Sequence, residues 1–209
     1  MLAYEKDPDA IYAASFSIIR QEADFSHFSK AEAHVAERVV HSCGMTDAAD
    51  DLVFSTGAAE AGRAALLNGA PVICDAEMVR HGIIQHFLPK QNLALCLLSN
   101  PSVAEIALEE ETTRSAAQVL LWNDKMEGAV IAIGNAPTAL FKLLELLDNG
   151  APKPALIVGF PVGFVGAAES KAELIANSRG VPFIALKGRR GGSAMAAAAV
   201  NALAIGWGA

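Results

Sequence analysis

Arg38 and His41 are the residues of this sequence that are best placed to do proton chemistry together. They stand three positions apart, and residues at i and i+3 share one face of an α-helix. A histidine can give or take a proton near neutral pH; a neighbouring cation favours its neutral ring, and a bound carboxylate favours its charged ring. The pair therefore suits an acidic substrate that must be protonated or deprotonated. A surface arginine beside a partly buried structural histidine would produce the same pattern.

Two helices are predicted to position this pair. Ser29 and Glu32 have the spacing of a capping box, which predicts a helix that begins there and runs to about His41. Gly44 supplies the stop, because glycine adopts the left-handed conformation that ends many helices. Residues 8–23 predict a preceding helix, since their apolar side chains recur at helical spacing.

After these helices the pattern changes to short apolar runs separated by helical segments. The runs are continuous, as expected of strands buried on both faces: Leu52–Phe54, Pro71–Cys74, Leu93–Leu98, Ala129–Ile133, Ala155–Gly159 and Phe183–Leu186. Helices are predicted between and after them, at about 57–68, 76–86, 102–126, 136–149, 167–178 and 192–204. Because strands alternate with helices, we expect an α/β fold: a three-layer α/β/α sandwich with a mostly parallel central sheet.

Three glycine-containing loops are predicted at the edge of this sheet where the carboxyl ends of the strands lie and where ligands bind in such folds. They begin after Ile133, Val158 and Leu186, and each leads into a helix. Free amides at a helix N-terminus bind anions, so the three loops together could hold several carboxylates or phosphates. Ordinary turn formation is the alternative for each of them. None matches a dinucleotide fingerprint or a phosphate loop.

Asp75 and Glu77 follow the second predicted strand and could form a general base or a metal site. A helix N-cap with an acid in the first turn explains them equally well. His34 has no cysteine or carboxylate pattern around it that would indicate a metal site. His81 and His86 are interpreted as structural or exposed, and the sequence contains no nucleophile motif.

The composition limits the class of protein. The 209 residues are 53% hydrophobic and carry a net charge of −7 without a lysine- or arginine-rich run, so binding to nucleic acid or to an anionic membrane is not expected. Residues 1–9 lack a secretory apolar region, and residues 193–209 are too polar for a membrane span. Three cysteines without metal-ligand spacing, Cys43, Cys74 and Cys96, indicate a reducing cytosol. We expect one cytoplasmic domain over 1–209.

Several longer motifs resemble those of one known family, almost end to end. The segments that carry the resemblance are Ser15–Glu22 (SFSIIRQE), Val39–Gly44 (VVHSCG), Gly69–Val79 (GAPVICDAEMV), Thr113–Ala117 (TRSAA), Ala132–Leu140 (AIGNAPTAL), Gly159–Lys171 (GFPVGFVGAAESK) and Gly188–Ser193 (GRRGGS). In these segments and in their order the chain resembles the precorrin-8X methylmutases, or precorrin isomerases, of cobalamin biosynthesis.

The resemblance implies an isomerase that moves a methyl group between adjacent carbons at ring C of precorrin-8X, by a formal 1,5-sigmatropic shift, to give hydrogenobyrinate. It implies no net redox change, no organic cofactor and no protein-bound metal, because any cobalt would arrive inside the substrate. The family's essential histidine falls on His41, as general acid or base. Its substrate contacts fall on Ser15 and Arg38, with Arg114 as a further one, and the family also implies a homodimer.

The substrate of that family is a tetrapyrrole with many acetate and propionate side chains, which suits the three loops. We expect further substrate contacts from residues of these loops and of the helices that follow: Gly134, Asn135, Gly163, Gly166, Ser170, Gly191 and Ser193. In the loop after the fifth strand, Phe160 and Phe164 could lie against the flat face of the macrocycle, or both could point into the core.

Two other functions stay open at this point. A non-catalytic corrinoid carrier could use the same contacts to carboxylates, but it would need no titrating group near ring C. A nucleotide-dependent oxidoreductase on a similar sheet would need the dinucleotide fingerprint that the sequence lacks.

Overall fold

The computed structural model of this chain describes Leu2 and residues 4–207, so both ends of the domain predicted over 1–209 lie outside the described residues. The helices are α1 (Pro8–Glu22), α2 (Lys30–Cys43), α3 (Ala58–Leu67), α4 (Glu77–Gly82), α5 (Ser102–Glu109), α6 (Arg114–Leu120), α7 (Asn123–Met126), α8 (Pro137–Asp148), α9 (Ala167–Ala176) and α10 (Ser193–Ile205). The strands are β1 (Leu52–Phe54), β2 (Val72–Cys74), β3 (Ala94–Cys96), β4 (Val130–Ile133), β5 (Leu156–Gly159) and β6 (Phe183–Leu186). Short 3-10 helices span Thr46–Asp51 and Gln85–Phe87. Within the described ranges, no helix is both long and apolar enough to cross a membrane.

The six strands form one sheet in the order β1-β6-β5-β4-β2-β3, counted over the part of the chain that the structure describes. All neighbours pair in parallel except β1, which runs antiparallel to β6 at one edge with Val53 opposite Ala185. The six predicted strands and the mostly parallel sheet are therefore confirmed. Because β4, β5 and β6 are adjacent and parallel, the loops that follow them lie side by side at one edge of the sheet.

Two hydrophobic cores cover the two faces of the sheet. Side chains alternate along a strand, so Val130 and Ala132 of β4 belong to one core, whereas Ile131 and Ile133 belong to the other. The first core includes residues of α2, α3, α4 and α10, and the second includes residues of α6, α7, α8 and α9. This is the predicted three-layer α/β/α sandwich. Helix α10 packs on β4 and β5, α2 packs along α10, and α1 packs on α2.

The two helices that carry the Arg38–His41 pair and its neighbours begin and end as their sequences predict. The N–H of Glu32 donates to Oγ of Ser29 (3.3 Å) and the N–H of Ser29 donates to Oε2 of Glu32 (2.8 Å), which completes the capping box of α2. Gly44 ends α2 with a φ of 68°, in the left-handed region that glycine adopts without strain. Asp7 caps α1 by accepting hydrogen bonds from two amides of its first turn.

The long helix predicted over 102–126 is divided into α5, α6 and α7. Glu111 has a φ of 48° in the turn between α5 and α6. Thr113 then begins α6 by accepting a hydrogen bond from the N–H of Ala116 (3.1 Å). Hydrophobic periodicity continues through this segment, whereas the cap restarts the helix, so the prediction of one helix is wrong here.

The helix predicted over 76–86 also ends early, at Gly82. The side chain of Asn201 in α10 holds the turn that follows: its Nδ2 donates to the Gly82 carbonyl (3.0 Å), and its Oδ1 accepts from the N–H of Ile84 (2.9 Å). A buried amide side chain that satisfies both ends of a turn is a tertiary contact between elements more than one hundred residues apart.

Candidate active site

Ser15 and His41 are joined by a hydrogen bond between Ser15 Oγ and His41 Nδ1, with 2.9 Å between the two atoms. His41 occupies the last turn of α2 and is solvent-exposed, while Ser15 lies in the middle of α1. A hydroxyl can donate to an unprotonated ring nitrogen or accept from a protonated one. The bond therefore survives a change in the protonation of the ring, and it leaves Nε2 as the nitrogen that can exchange a proton with a ligand.

An aromatic floor lies beneath His41 and Arg38, formed by Tyr12 and Phe16 of α1. The imidazole of His41 stacks on Phe16 with 4.9 Å between ring centroids and 20° between the planes. The Arg38 guanidinium carbon lies 5.6 Å from the Phe16 centroid and 5.9 Å from that of Tyr12. Cations are attracted to aromatic faces, so the two rings hold Arg38 on the side of α2 that carries His41, as its spacing predicts. Within the described residues, the Nε atom of Arg38 is buried without a hydrogen-bond partner.

His41 borders two cavities. The larger holds about 330 Å³ and is lined by Tyr12, Arg38, His41 and Ser42 on one side and by Ile84, Phe87, Ala198 and Asn201 on the other. The smaller holds about 180 Å³ and lies beside Ser15 and Gly44. Sequence reasoning missed the lining from α1, α10 and the turn after α4. The spacing of Tyr12 and Phe16, four residues apart on the predicted first helix, was the one local signal that could have indicated it.

The three glycine-containing loops meet at the edge of the sheet, as predicted. The N–H of Val162 donates to the Asn135 carbonyl (3.4 Å), and the N–H of Gly163 donates to the Arg189 carbonyl (3.2 Å). The N–H of Gly192 donates to the Phe160 carbonyl (2.9 Å). Several loop amides therefore bind neighbouring loops in this structure.

The carboxylate of Asp75 accepts hydrogen bonds from the backbone amides that precede α8. Its Oδ1 accepts from the N–H of Gly134 (2.9 Å), and its Oδ2 accepts from those of Asn135 (3.0 Å) and Ala136 (2.7 Å). Burial raises the pKa of this carboxyl, and the three N–H groups oppose that shift. The amides of Gly134 and Asn135 are thus satisfied within the chain, which leaves the Asn135 side chain as the group that could meet a ligand.

The interpretation of Asp75 as the N-cap of the next helix is wrong, since Ala76 holds that position in α4 and no side chain caps it. Glu77 does lie in the first turn of α4, where it pairs with Arg80 (2.6 Å). Among the described residues, no group of three His, Cys, Asp or Glu side chains is arranged to hold a metal ion. Both acids therefore have structural partners.

The remaining loop residues are placed in different ways. Ser170 is buried in α9, where its Oγ donates to the Ala167 carbonyl (3.2 Å). Gly191 lies against the Phe160–Pro161 backbone, and a Cβ at this position would stand 2.3 Å from the Phe160 carbonyl oxygen. Gly166 and Gly192 are the N-cap positions of α9 and α10, and neither helix has a side-chain cap. The first-turn amides around Gly166 and Ser193 remain the part of this edge that suits an anion.

Phe160 and Phe164 take opposite orientations. Phe160 is fully buried in the core beside α10, and Phe164 is 84% exposed. The Arg189 guanidinium carbon lies 5.6 Å from the centroid of the Phe164 ring. Only Phe164 is therefore available to a ligand, so the expectation that both rings would share one environment is wrong.

Arg114 begins α6, on the opposite layer of the sandwich from α2. Its Nη2 donates to the Leu98 carbonyl (3.1 Å), and the neighbouring Thr113 bonds Thr138 at the start of α8 (2.8 Å). Arg114 is exposed near the loops, and it is not among the residues that line the cavities beside His41. The structure therefore brings Ser15, Arg38 and His41 together and places Arg114 and the loop residues in a second group.

The interpretation of His81 and His86 as structural or exposed residues is confirmed. His81 and His86 are exposed. Cys43, Cys74 and Cys96 are free, and burial raises the pKa of the Cys74 thiol, which keeps it protonated and unreactive.

Comparisons with known proteins agree with this architecture. A model of the family described as precorrin-8X methylmutase matches residues 10–205. A precorrin-8X methylmutase of Pseudomonas aeruginosa is 57% identical over 204 residues, which cover 98% of each chain. A cobalt-precorrin-8 methylmutase of Priestia megaterium is 36% identical and covers 95% of this chain and 88% of its own. A crystal structure of precorrin-8X methylmutase from Thermus thermophilus superposes with a TM-score of 0.84 at 37% identity, covering 93% of this chain and 96% of that one.

Proposed function

The chain belongs to the precorrin-8X methylmutase family of isomerases, and we propose that His41 is the residue that exchanges a proton with the macrocycle during the methyl shift. The observation that carries this proposal is the hydrogen bond of 2.9 Å between Ser15 Oγ and His41 Nδ1, beside the guanidinium of Arg38. It orients the ring while its Nε2 stays available.

The proton has a defined role in this chemistry. A methyl group migrates between adjacent ring carbons with its bonding electrons, so the reaction needs a change in the electron distribution of the ring and no nucleophile. A proton placed on the macrocycle by His41 draws electron density toward that position and lowers the barrier to migration. The proton returns to His41 once the methyl group has migrated and the conjugated system of the product has formed, so no net proton or electron is exchanged with solvent. Positioned acid catalysis typically contributes about 10²- to 10⁴-fold in rate.

Arg38 binds a carboxylate of the substrate near ring C in this proposal. Its guanidinium rests on Tyr12 and Phe16, and a charge-assisted hydrogen bond from a held guanidinium is among the stronger polar contacts. Asn135, Gly166 and Ser193 form a second group of contacts at the sheet edge, with Arg114 and the exposed Phe164 beside them. Gly134, Gly163 and Gly191 shape the loops around this group, since their backbones bind or pack against other parts of the chain. Ser170 supports this group indirectly, because its hydrogen bond to the Ala167 carbonyl holds the first turn of α9.

The natural substrate is proposed to be metal-free precorrin-8X. The relative that shares 57% of its residues with this chain is named for that substrate, and the relative named for cobalt-precorrin-8 shares 36%. Initial rates with the metal-free and the cobalt-containing substrate test the assignment. Faster turnover of the cobalt form would reverse it.

A homodimer in the cytoplasm is the assembly we propose. Exposed apolar side chains of α1 support it, because Ile11 and Ile18 are about half exposed (48% and 52%) on either side of Ser15. Sedimentation of the purified protein tests the assembly, and a monomer at micromolar concentration would contradict it.

The decisive experiment is turnover of precorrin-8X, followed by the yellow-to-orange change of its chromophore. Wild-type protein should convert it, and His41→Ala should lose about 10²- to 10⁴-fold in rate while it still binds hydrogenobyrinate. His41→Asn, closer in shape, is the matched variant and should behave in the same way. A wild-type protein that binds the product but never isomerises the substrate would be the non-catalytic corrinoid carrier.

A further inference from the structure

A second cavity lies on α2, two helical turns before His41. It holds about 400 Å³ between the N-terminal half of α2 and the turn after α10, and its polar lining comes from Arg20, Lys30, His34, Glu37 and Trp207. His34 precedes His41 by seven residues, which corresponds to about 10 Å along the helix axis. Lys30, His34 and Arg38 follow one another at intervals of four residues, so they lie along one stripe of α2.

The far wall of this cavity is held in place by Arg63. Its Nη1 donates to the carbonyls of Leu203 (3.0 Å) and Ala204 (3.3 Å), and its guanidinium carbon lies 5.6 Å from the ring of Trp207. Gly206, with a φ of 76°, makes room for this guanidinium, because a Cβ there would overlap it. Trp207 is thereby set beside His34, with 6.5 Å between the ring centroids. These contacts fix the position of the cavity wall in the folded protein.

The charges in the cavity are only partly balanced. Arg20 forms a two-pronged ion pair with Glu37, with 2.9 Å from Nε to Oε1 and 2.8 Å from Nη2 to Oε2, so these charges compensate each other. Lys30 has no ion pair within the described residues. His34 Nε2 is buried without a hydrogen-bond partner in the same part of the chain. The ammonium of Lys30 suits an acidic group, and a carboxylate bound beside the unpartnered ring nitrogen would oppose the lowering of the His34 pKa by burial and by Arg38.

We propose that this cavity binds a peripheral carboxylate arm of the same macrocycle whose reacting ring lies at His41. The inference rests on the proposed function. A tetrapyrrole with acetate and propionate arms is much larger than the cavity of about 330 Å³ at His41, so the ligand must extend beyond it. The stripe of α2 from His41 through Arg38 to Lys30 leads from one cavity to the other.

The test is the affinity for hydrogenobyrinate of Lys30→Gln, measured by absorbance titration. We expect it to weaken binding about three- to tenfold, because a charged contact in an open groove is worth less than a buried one. The matched control is Lys125→Gln, an exposed lysine of α7 on the opposite layer, which should bind as wild type does. Loss of a cation from the first turn of a helix does not destabilise it, so unfolding would not explain weaker binding.

His34→Leu provides a second variant, because leucine keeps packing volume and removes the unpartnered nitrogen. His34→Leu should also weaken binding of the product. The affinity of Lys30→Gln should depend less steeply on salt concentration than that of wild type. If both variants bind the product with wild-type affinity, the inference is overturned. This holds even if inorganic phosphate alone binds in the cavity. This failure is distinct from that of the proposed function, which wild-type turnover of precorrin-8X decides by itself.

Discussion

Ser15 on α1 and His41 at the end of α2 are joined by one side-chain hydrogen bond of 2.9 Å, although they stand 26 residues apart in the sequence. Since the bond ends on Nδ1, it sets the direction in which Nε2 faces. Ser15 therefore acts on the histidine in this structure, in addition to any contact it makes with a substrate.

Ser15→Ala should lower kcat about two- to tenfold, which is the range expected for loss of one neutral hydrogen bond. KM should stay within about twofold, because the change affects the orientation of the ring more than the binding of the ligand. Ser15→Thr keeps a hydroxyl and is the matched control. Initial rates of the chromophore change give both constants, and a rise in KM at constant kcat would make Ser15 a substrate contact only.

Arg38→Ala should weaken binding of hydrogenobyrinate about ten- to a hundredfold, since a hydrogen bond to a charged group is typically worth about 1.5–3 kcal/mol. Arg38→Lys keeps the charge and loses the planar group that lies over Tyr12 and Phe16, so it should fall between wild type and Arg38→Ala. Absorbance titrations measure all three affinities. Equal affinities in wild type and Arg38→Ala would remove Arg38 from the site.

Phe164→Ala should weaken product binding and leave the free energy of unfolding nearly unchanged, because its side chain is 84% exposed. Phe160→Ala is the contrasting variant in the same loop. It should lower the free energy of unfolding by about 3–5 kcal/mol, because it opens a cavity in the core. Urea unfolding and product titration separate the two effects. If Phe164→Ala binds product as wild type does, the loop is only a connection between β5 and α9.

Lys171 should make stability depend on pH in alkaline solution. Its side chain is buried and donates to the Arg190 carbonyl, and burial lowers its pKa to about 8, against the weaker effect of Asp51. Between about pH 8 and the ordinary value of 10.5, the unfolded chain binds more protons at this lysine than the folded chain does. The free energy of unfolding contributed by Lys171 should therefore rise with pH in this window, by at most about 3 kcal/mol.

The measurement is urea unfolding of wild type and Lys171→Met at several pH values, with Lys125→Met as the control. The free energy of unfolding of wild type minus that of Lys171→Met should rise as the pH increases from 8. Burial raises the pKa of Cys74 and Cys96, so ionisation of these thiols in the unfolded chain opposes the trend, but it does so equally in all three proteins. A difference that is constant with pH would show that Lys171 keeps its proton in the folded state.

The sequence alone was sufficient for the features that depend on neighbours along the chain. Uninterrupted apolar runs located all six strands, and the capping box at Ser29 and the stop at Gly44 bounded α2. The three-residue spacing of Arg38 and His41 placed both side chains on one face of that helix. The motifs from Ser15 to Ser193 indicated the family. Each of these signals is contained in a short segment, so periodicity, caps and motif order are enough to read it.

Only the tertiary structure decided which of these segments meet. Asp75 satisfies the amides of Gly134 and Asn135 because β2 and β4 are neighbours in the sheet, although about sixty residues separate them in the chain. The packing of α1 on α2 brings Ser15 to His41. In the loop after β5, the chain path buries Phe160 beneath α10 and leaves Phe164 outside. Such contacts depend on strand order and helix packing, which no local pattern of residues encodes.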